Sequence, residues 1–151
     1  ARLDDGNRAL ENIRYAAGNY TTASLFSICS QKMQVDGAFG MTAAIAEMLL
    51  QSQDGELSLL PAAPNEWKTG EVSGLVARGG FEVGMAWQNG HLREARIKSR
   101  LGRICRIRLG GASAVVSSGA KPVAAKTVEH GVLEFATNPG TGYLVTLTGE
   151  R

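Results

Sequence analysis

The hydrophobic residues of this chain change their spacing partway along it, and that change limits what it can fold into. Up to about residue 53 they recur at helical intervals, and beyond about residue 71 they alternate. Within Asp5 to Gly18, residues Ala9, Leu10, Ile13, Ala16 and Ala17 recur as on one side of a helix. Asp4 or Asp5 can cap its start and Gly18-Asn19 can end it. Tyr20 to Ala38 has no clear period. A second helix is predicted from about Gly40 to Gln53, where Ala43, Ala44, Ile45, Ala46, Met48, Leu49 and Leu50 are apolar nearly all round. Such a helix is normally buried among others. The chain offers one other helix, so partners from outside it are expected.

From Glu71 onward the pattern is that of strands. Phe81, Val83, Met85 and Trp87 alternate with Glu82, Gly84 and Ala86. Asn89-Gly90 follows, a strong hairpin signal, because both central residues of a type I′ turn need positive φ. The return strand is predicted from about His91 to Ser99. Cys105, Ile107 and Leu109 form another, ended by Gly110-Gly111. Leu133 and Phe135 mark a further strand, and Tyr143, Val145 and Leu147 a last one. Short strands separated by turns predict a small antiparallel β-sandwich. The class is therefore α+β, with the boundary in the stretch from Pro61 to Gly70, which also holds Pro64.

Composition narrows the function classes. With 44% hydrophobic and 20% charged residues, the 151-residue chain is neither a disordered tail nor a fibrous repeat. Its 19 glycines against 4 prolines suit tight turns between strands. A net charge of +2 gives no global field toward nucleic acid or anionic lipid. No apolar run approaches the roughly 20 residues of a membrane helix, and no signal peptide is recognised. Neither a nucleic-acid nor a membrane partner is expected, and the compartment is left open. Cys29 and Cys105 match no metal spacing and read as two unpaired thiols. The first residue is Ala1 and not Met, so the chain reads as a piece of something longer.

Several residues have both a functional and an ordinary structural reading. Arg93, Arg96, Lys98, Arg100, Arg103, Arg106 and Arg108 form a basic run, but strands collect such residues on their solvent face, and aromatics for base stacking are missing. Arg78 could clamp a hydroxyl or a carboxylate; its ordinary reading is an ion pair at the junction of helices and sheet. Glu47 reads as a structural, paired carboxylate. Trp67 and Trp87 read as core or contact aromatics before sugar platforms. His91 and His130 sit at turns. The segment Gln34-Val35-Asp36-Gly37-Ala38-Phe39-Gly40 stands out more, because Asp36 lies where a loop meets a helix N-terminus. Backbone N–H groups and the helix dipole favour negative charge at such a corner. A helix cap is the ordinary alternative.

The wider context of that segment is distinctive. It runs on through Ala43-Ala44-Ile45-Ala46-Glu47-Met48-Leu49-Leu50-Gln51-Ser52. Leu59-Leu60-Pro61-Ala62, Trp67 and Gly74-Leu75-Val76-Ala77-Arg78-Gly79-Gly80-Phe81 follow in order. Over residues 1–102 this resembles the C-terminal portion of the inverting α-L-fucosidases, glycoside hydrolase family ninety-five. The resemblance implies that residues 1–66 are the end of an (α/α)6 catalytic barrel and residues 67–151 a C-terminal β-sandwich domain. It implies hydrolysis of terminal α-linked L-fucose, or a related sugar, with an oligosaccharide or glycan as substrate and no cofactor or metal. In the family a Glu is the acid, and an Asn polarised by an Asp is the base. Asp36 matches that Asp. The Glu and the Asn are not in this chain, so the N-terminal part of the same protein is expected as its partner, and the fragment alone is expected to be inactive. Gln34, Ser30 and Ala38 match substrate-binding positions. The family pattern has His at the position of Ser30 and Asn at that of Ala38, which changes what those positions can offer a sugar. The rival reading is a noncatalytic structural or carbohydrate-binding β module.

Overall fold

A computed structural model describes residues 1–30 and 32–148, which form two compact units. One comprises residues 1–49 with 61–66. The other comprises residues 50–60 and those from Trp67 on.

The first unit is helical. Helix α1 spans Gly6–Asn19. Asp5 caps it, its carboxylate accepting from the Arg8 N–H at 2.9 Å. The helix ends when the Tyr20 N–H bonds the Ala16 carbonyl at 2.8 Å. Residues 61–66 form a strap held against this unit. A Cβ on Gly6 would lie 2.3 Å from the Ala62 carbonyl oxygen, so only glycine admits that approach. The Asn65 N–H donates to Asn7 Oδ1 at 2.9 Å, Arg14 makes two bonds to Glu66 at 2.7 and 2.8 Å, and the Ala62 N–H reaches the Met48 carbonyl. Strands β1 (Ile28–Cys29) and β2 (Lys32–Met33) pair antiparallel and lead into helix α2, Val35–Leu49. Arg2 pairs with Glu47 at 3.1 Å, the paired state expected for that carboxylate.

Two expectations for the second helix need correction. It starts at Val35, five residues before the predicted Gly40, and it stops at Leu49, not Gln53. The end falls there because Leu50 and Gln51 pair with Leu59 and Ser58, so the chain exchanges helix bonds for sheet bonds. Nor is the helix buried all round within this chain. Met48 and Leu49 are buried, but Val35, Phe39 and Ile45 are exposed, Phe39 at 70%.

The second unit contains two sheets. Its strands in chain order are β3 (Leu50–Gln51), β4 (Leu57–Leu59), β5 (Gly70–Ala77), β6 (Phe81–Gln88), β7 (His91–Ser99) and β8 (Cys105–Arg108). After them come β9 (Ser113–Ser118), β10 (Lys121–Val123), β11 (Ala125–Val128), β12 (Val132–Phe135) and β13 (Gly142–Thr148). Among the described residues, one sheet has the order β10-β9-β13-β7-β6-β5 and the other β11-β12-β8-β4-β3. All pairings are antiparallel except β4 with β8, which is parallel. The β6–β7 hairpin turns on Asn89 and Gly90 with φ of 54° and 77°, the two positive values its sequence predicts.

Alternation places Val83, Met85, Ala95, Ile97 and Val145 of the first sheet and Cys105 and Ile107 of the second in the core. The rings of Phe135 and Tyr143, one from each sheet, meet at 5.5 Å. Cys105 is free, and burial pushes its thiol up to about 12, so it acts as a small apolar side chain. Trp87 is buried and donates from Nε1 to the Trp67 carbonyl at 2.7 Å, which makes it a core residue.

One polar cluster lies inside this core. The hydroxyls of Thr137 and Ser99 are 2.7 Å apart, Thr137 also bonds the Arg103 carbonyl, and the Gly102 N–H donates to Ser99 Oγ at 3.1 Å. Thr137→Val keeps the shape but leaves the Arg103 carbonyl and the Ser99 hydroxyl short of a partner. It is expected to cost about 1–3 kcal/mol in denaturant unfolding. A loss below about half a kcal/mol would show that water replaces the bond.

Candidate active site

The residues around Asp36 are arranged by the irregular stretch that precedes α2. Thr21 and Ser27 form a β-bridge, and the Thr22 N–H reaches the Phe26 carbonyl at 2.9 Å. The Ile28 N–H then bonds the Tyr20 carbonyl at 2.8 Å, and the Gln34 N–H bonds the Ser27 carbonyl at 2.7 Å. Residues 20–30 and 32–34 thus make a compact double turn in place of an open loop, which delivers the chain directly into the helix.

Ser27 is the contact on which this turn meets α2. It is 5% exposed, and a Cβ on Gly37 would lie 2.3 Å from its Oγ. Glycine in a helix interior costs about 1 kcal/mol relative to alanine. Here that cost permits the close approach that fixes the first turn of α2, and with it the position of Asp36. Sequence reading passed over Ser27; the available signal was a glycine at the third residue of what proves to be a helix. Gly37→Ala is expected to lower stability by about 1 kcal/mol, the net of overpacking against better helix propensity. The companion Ser27→Gly should restore the loss. A double-mutant cycle by urea unfolding reads the coupling, and additive effects would refute the contact's importance.

The four residues singled out from sequence lie along this one segment. Ser30 sits at the tip of the β1–β2 hairpin with φ of 49°, and its Oγ is 4.0 Å from Cys29 Sγ. Gln34 is half-buried between β2 and α2. Asp36 is exposed in the first turn of α2, where unpaired helix N–H groups favour negative charge. Ala38 is half-buried, and its carbonyl accepts from Thr42 Oγ1 at 3.0 Å. Asp36 therefore stands inside the helix rather than in the loop before it.

The second unit has clefts of its own. One of them is about 560 Å3 and is lined by residues that include Leu59, Leu92, Arg93 and Leu147. None of the four motif residues belongs to it. Among the described residues no group of three or more His, Cys, Asp or Glu side chains could hold a metal, and no helix is long and apolar enough to cross a membrane.

Comparison with known proteins bears directly on this segment. Residues 1–49 match the glycosyl hydrolase family 95 catalytic domain, and residues 51–145 match the glycoside hydrolase family 95 C-terminal domain. The junction between the matches coincides with the end of α2 and the start of β3. A relative named alpha-L-fucosidase 2, from Arabidopsis thaliana, is 52% identical over 62 residues. That match takes in 40% of this chain and spans 7% of the relative's length. The sequence motifs, the helix-to-sheet order and the two adjoining matches agree, and the chain belongs to glycoside hydrolase family 95.

Proposed function

We propose that the protein containing this chain hydrolyses terminal α-linked L-fucose, or a closely related sugar, from glycans with inversion at the anomeric carbon. In this reading residues 1–49, with the strap 61–66, contribute the last helices of an (α/α)6 barrel, and the sheet unit, which takes in residues 50–60 as well as those from Trp67 on, is the C-terminal β domain. The observation that carries it is the pair of adjoining family matches, catalytic then C-terminal, meeting between residues 49 and 51. The exposed apolar side chains of α2, Val35, Phe39 and Ile45, suit a helix that completes its packing against further barrel helices.

Inversion by a glycosidase needs an acid for the leaving oxygen and a base that activates water on the opposite face of the ring. Asp36 acts on the base. It accepts a hydrogen bond from an asparagine amide supplied by another part of the protein and so strengthens that side chain's pull on the water proton. A carboxylate at a helix N-terminus suits that task, since it accepts bonds without giving up a proton. The acid is also supplied from outside these residues. Gln34, Ser30 and Ala38 line the sugar side of the same segment. A short hydroxyl at Ser30 and a methyl at Ala38 leave fewer polar groups for the sugar than an imidazole and an amide would.

The test is hydrolysis of an α-L-fucosyl oligosaccharide by the intact protein, with the anomer of the released sugar followed by proton NMR. The expected first product is the β-anomer. Release of the α-anomer would refute inversion. Glycan binding without any release would favour a noncatalytic binding module.

A further inference from the structure

Several basic residues of the sheet unit are matched by acids. Arg96 pairs with Glu94, Arg100 with Glu82 at 2.8 Å, Arg106 with Glu134 at 2.7 Å, and Arg108 with Glu56. Lys126 and Arg106 together hold the Glu134 carboxyl below the usual carboxylate range. Arg78 and Arg103, like Arg93 and Lys98, are not among these matched residues. Neither the Arg78 nor the Arg103 guanidinium has an acidic partner among the described residues, and both line one cleft of about 290 Å3. The ion pair expected for Arg78 is thus not found there.

The same cleft includes Glu56, whose carboxylate is engaged by Arg108, and Arg106, whose charge is engaged by Glu134. Among the described residues, the Arg78 and Arg103 guanidinium groups of this cleft are left without a counter-charge. The backbone of each is fixed. The Arg78 N–H donates to Ser52 Oγ at 3.1 Å, and the Arg103 carbonyl is held by buried Thr137. Gly79, beside Arg78, has φ of 88°, and a Cβ there would lie 2.9 Å from the Phe81 ring. A residue with a side chain at position 79 would therefore strain the turn beside Arg78.

The cleft lies at the small end of ligand sites, which run about 300–1,000 Å3, so it suits a monosaccharide unit and not a long chain. Phe81 is its only aromatic lining residue, and it is 4% exposed, so no ring is free to stack on a neutral sugar. Recognition there must come from charge. Guanidinium groups bind carboxylate and sulfate through paired N–H donors.

We propose that Arg78 and Arg103 form a binding site for a sugar residue bearing a carboxylate or sulfate group, separate from the fucose-cleaving segment. This rests on the reading of the protein as a glycan hydrolase. The site would hold an acidic part of a glycan.

Calorimetry on the intact protein tests this with trigalacturonate, a sulfated galactotriose and neutral galactotriose, alongside Arg78→Gln, Arg103→Gln and the double variant. One or both anionic sugars should bind and the neutral one should not, which also tells carboxylate from sulfate. Each substitution should weaken binding about tenfold, as for loss of a charge-assisted pair, and added salt should weaken it further. Arg78→Lys and Arg103→Lys, which keep the charge, should fall in between. Circular dichroism and hydrolysis of a small neutral fucoside should stay unchanged in every variant. Equal binding of the neutral sugar, wild-type binding by the double variant, or tighter capture of a glutamate-rich peptide would overturn the proposal. Anion binding without fucoside hydrolysis would remove the fucosidase reading alone, and hydrolysis without anion binding would remove the cleft alone.

Discussion

Replacing Asp36 by Asn in the intact protein should lower kcat on an α-L-fucoside by about 10²- to 10⁴-fold, the usual worth of a positioned acid–base group. The substitution changes one oxygen to an amide and removes the charge that would draw the proton of a neighbouring asparagine. The substrate is bound before and after this change in much the same way, so KM should move little and the loss should sit in kcat. Stability should fall by less than about 1 kcal/mol, because Asp36 is exposed and contributes mainly through the helix dipole. Steady-state kinetics beside a thermal melt separate the two effects. Wild-type turnover in this variant would show that Asp36 is a helix-start residue and nothing more.

Met48→Ala should have the largest effect on folding. Met48 is fully buried at the C-terminal end of α2, next to the carbonyl that receives the Ala62 N–H. Removing a buried methionine side chain to the β-carbon costs about 2–5 kcal/mol, a sum of lost transfer energy and the cavity left behind. Guanidinium unfolding should show a lower midpoint. Phe39→Ala, on a residue 70% exposed in this chain, should cost much less in the 151-residue chain. In the intact protein its cost should rise if barrel helices cover α2, so the difference between the two backgrounds reads that packing. A change below about half a kcal/mol for Met48→Ala would contradict the burial.

Much of the β region was legible from period alone. Strands β6 and β7 and their Asn-Gly turn follow from alternation and from the positive φ that glycine and asparagine tolerate. The strand at Ser113–Ser118 and the short ones around Pro122 and Lys126 were not read, because they are short, polar and at or near sheet edges, where one apolar face is weak or missing. The parallel pairing of β4 with β8 could not be read either, since it joins segments about fifty residues apart and no local signal records it.

By itself the sequence determined the order of helices and then strands, an acidic cap for α1 at Asp4 or Asp5, the turn at Asn89-Gly90 and the family to which the motifs belong. These depend on neighbours within a few residues or on motifs in a fixed order. Only the tertiary structure decided where α2 begins, because Gly37 enters a helix against its propensity in order to clear the Ser27 side chain. It alone also decided which arginines meet an acid, as Arg100 meets Glu82 and Arg106 meets Glu134, and which, like Arg78 and Arg103 at one cleft, do not among the described residues. Pairing across strands brings together residues far apart in the chain, and a one-dimensional pattern carries no record of which charges will meet.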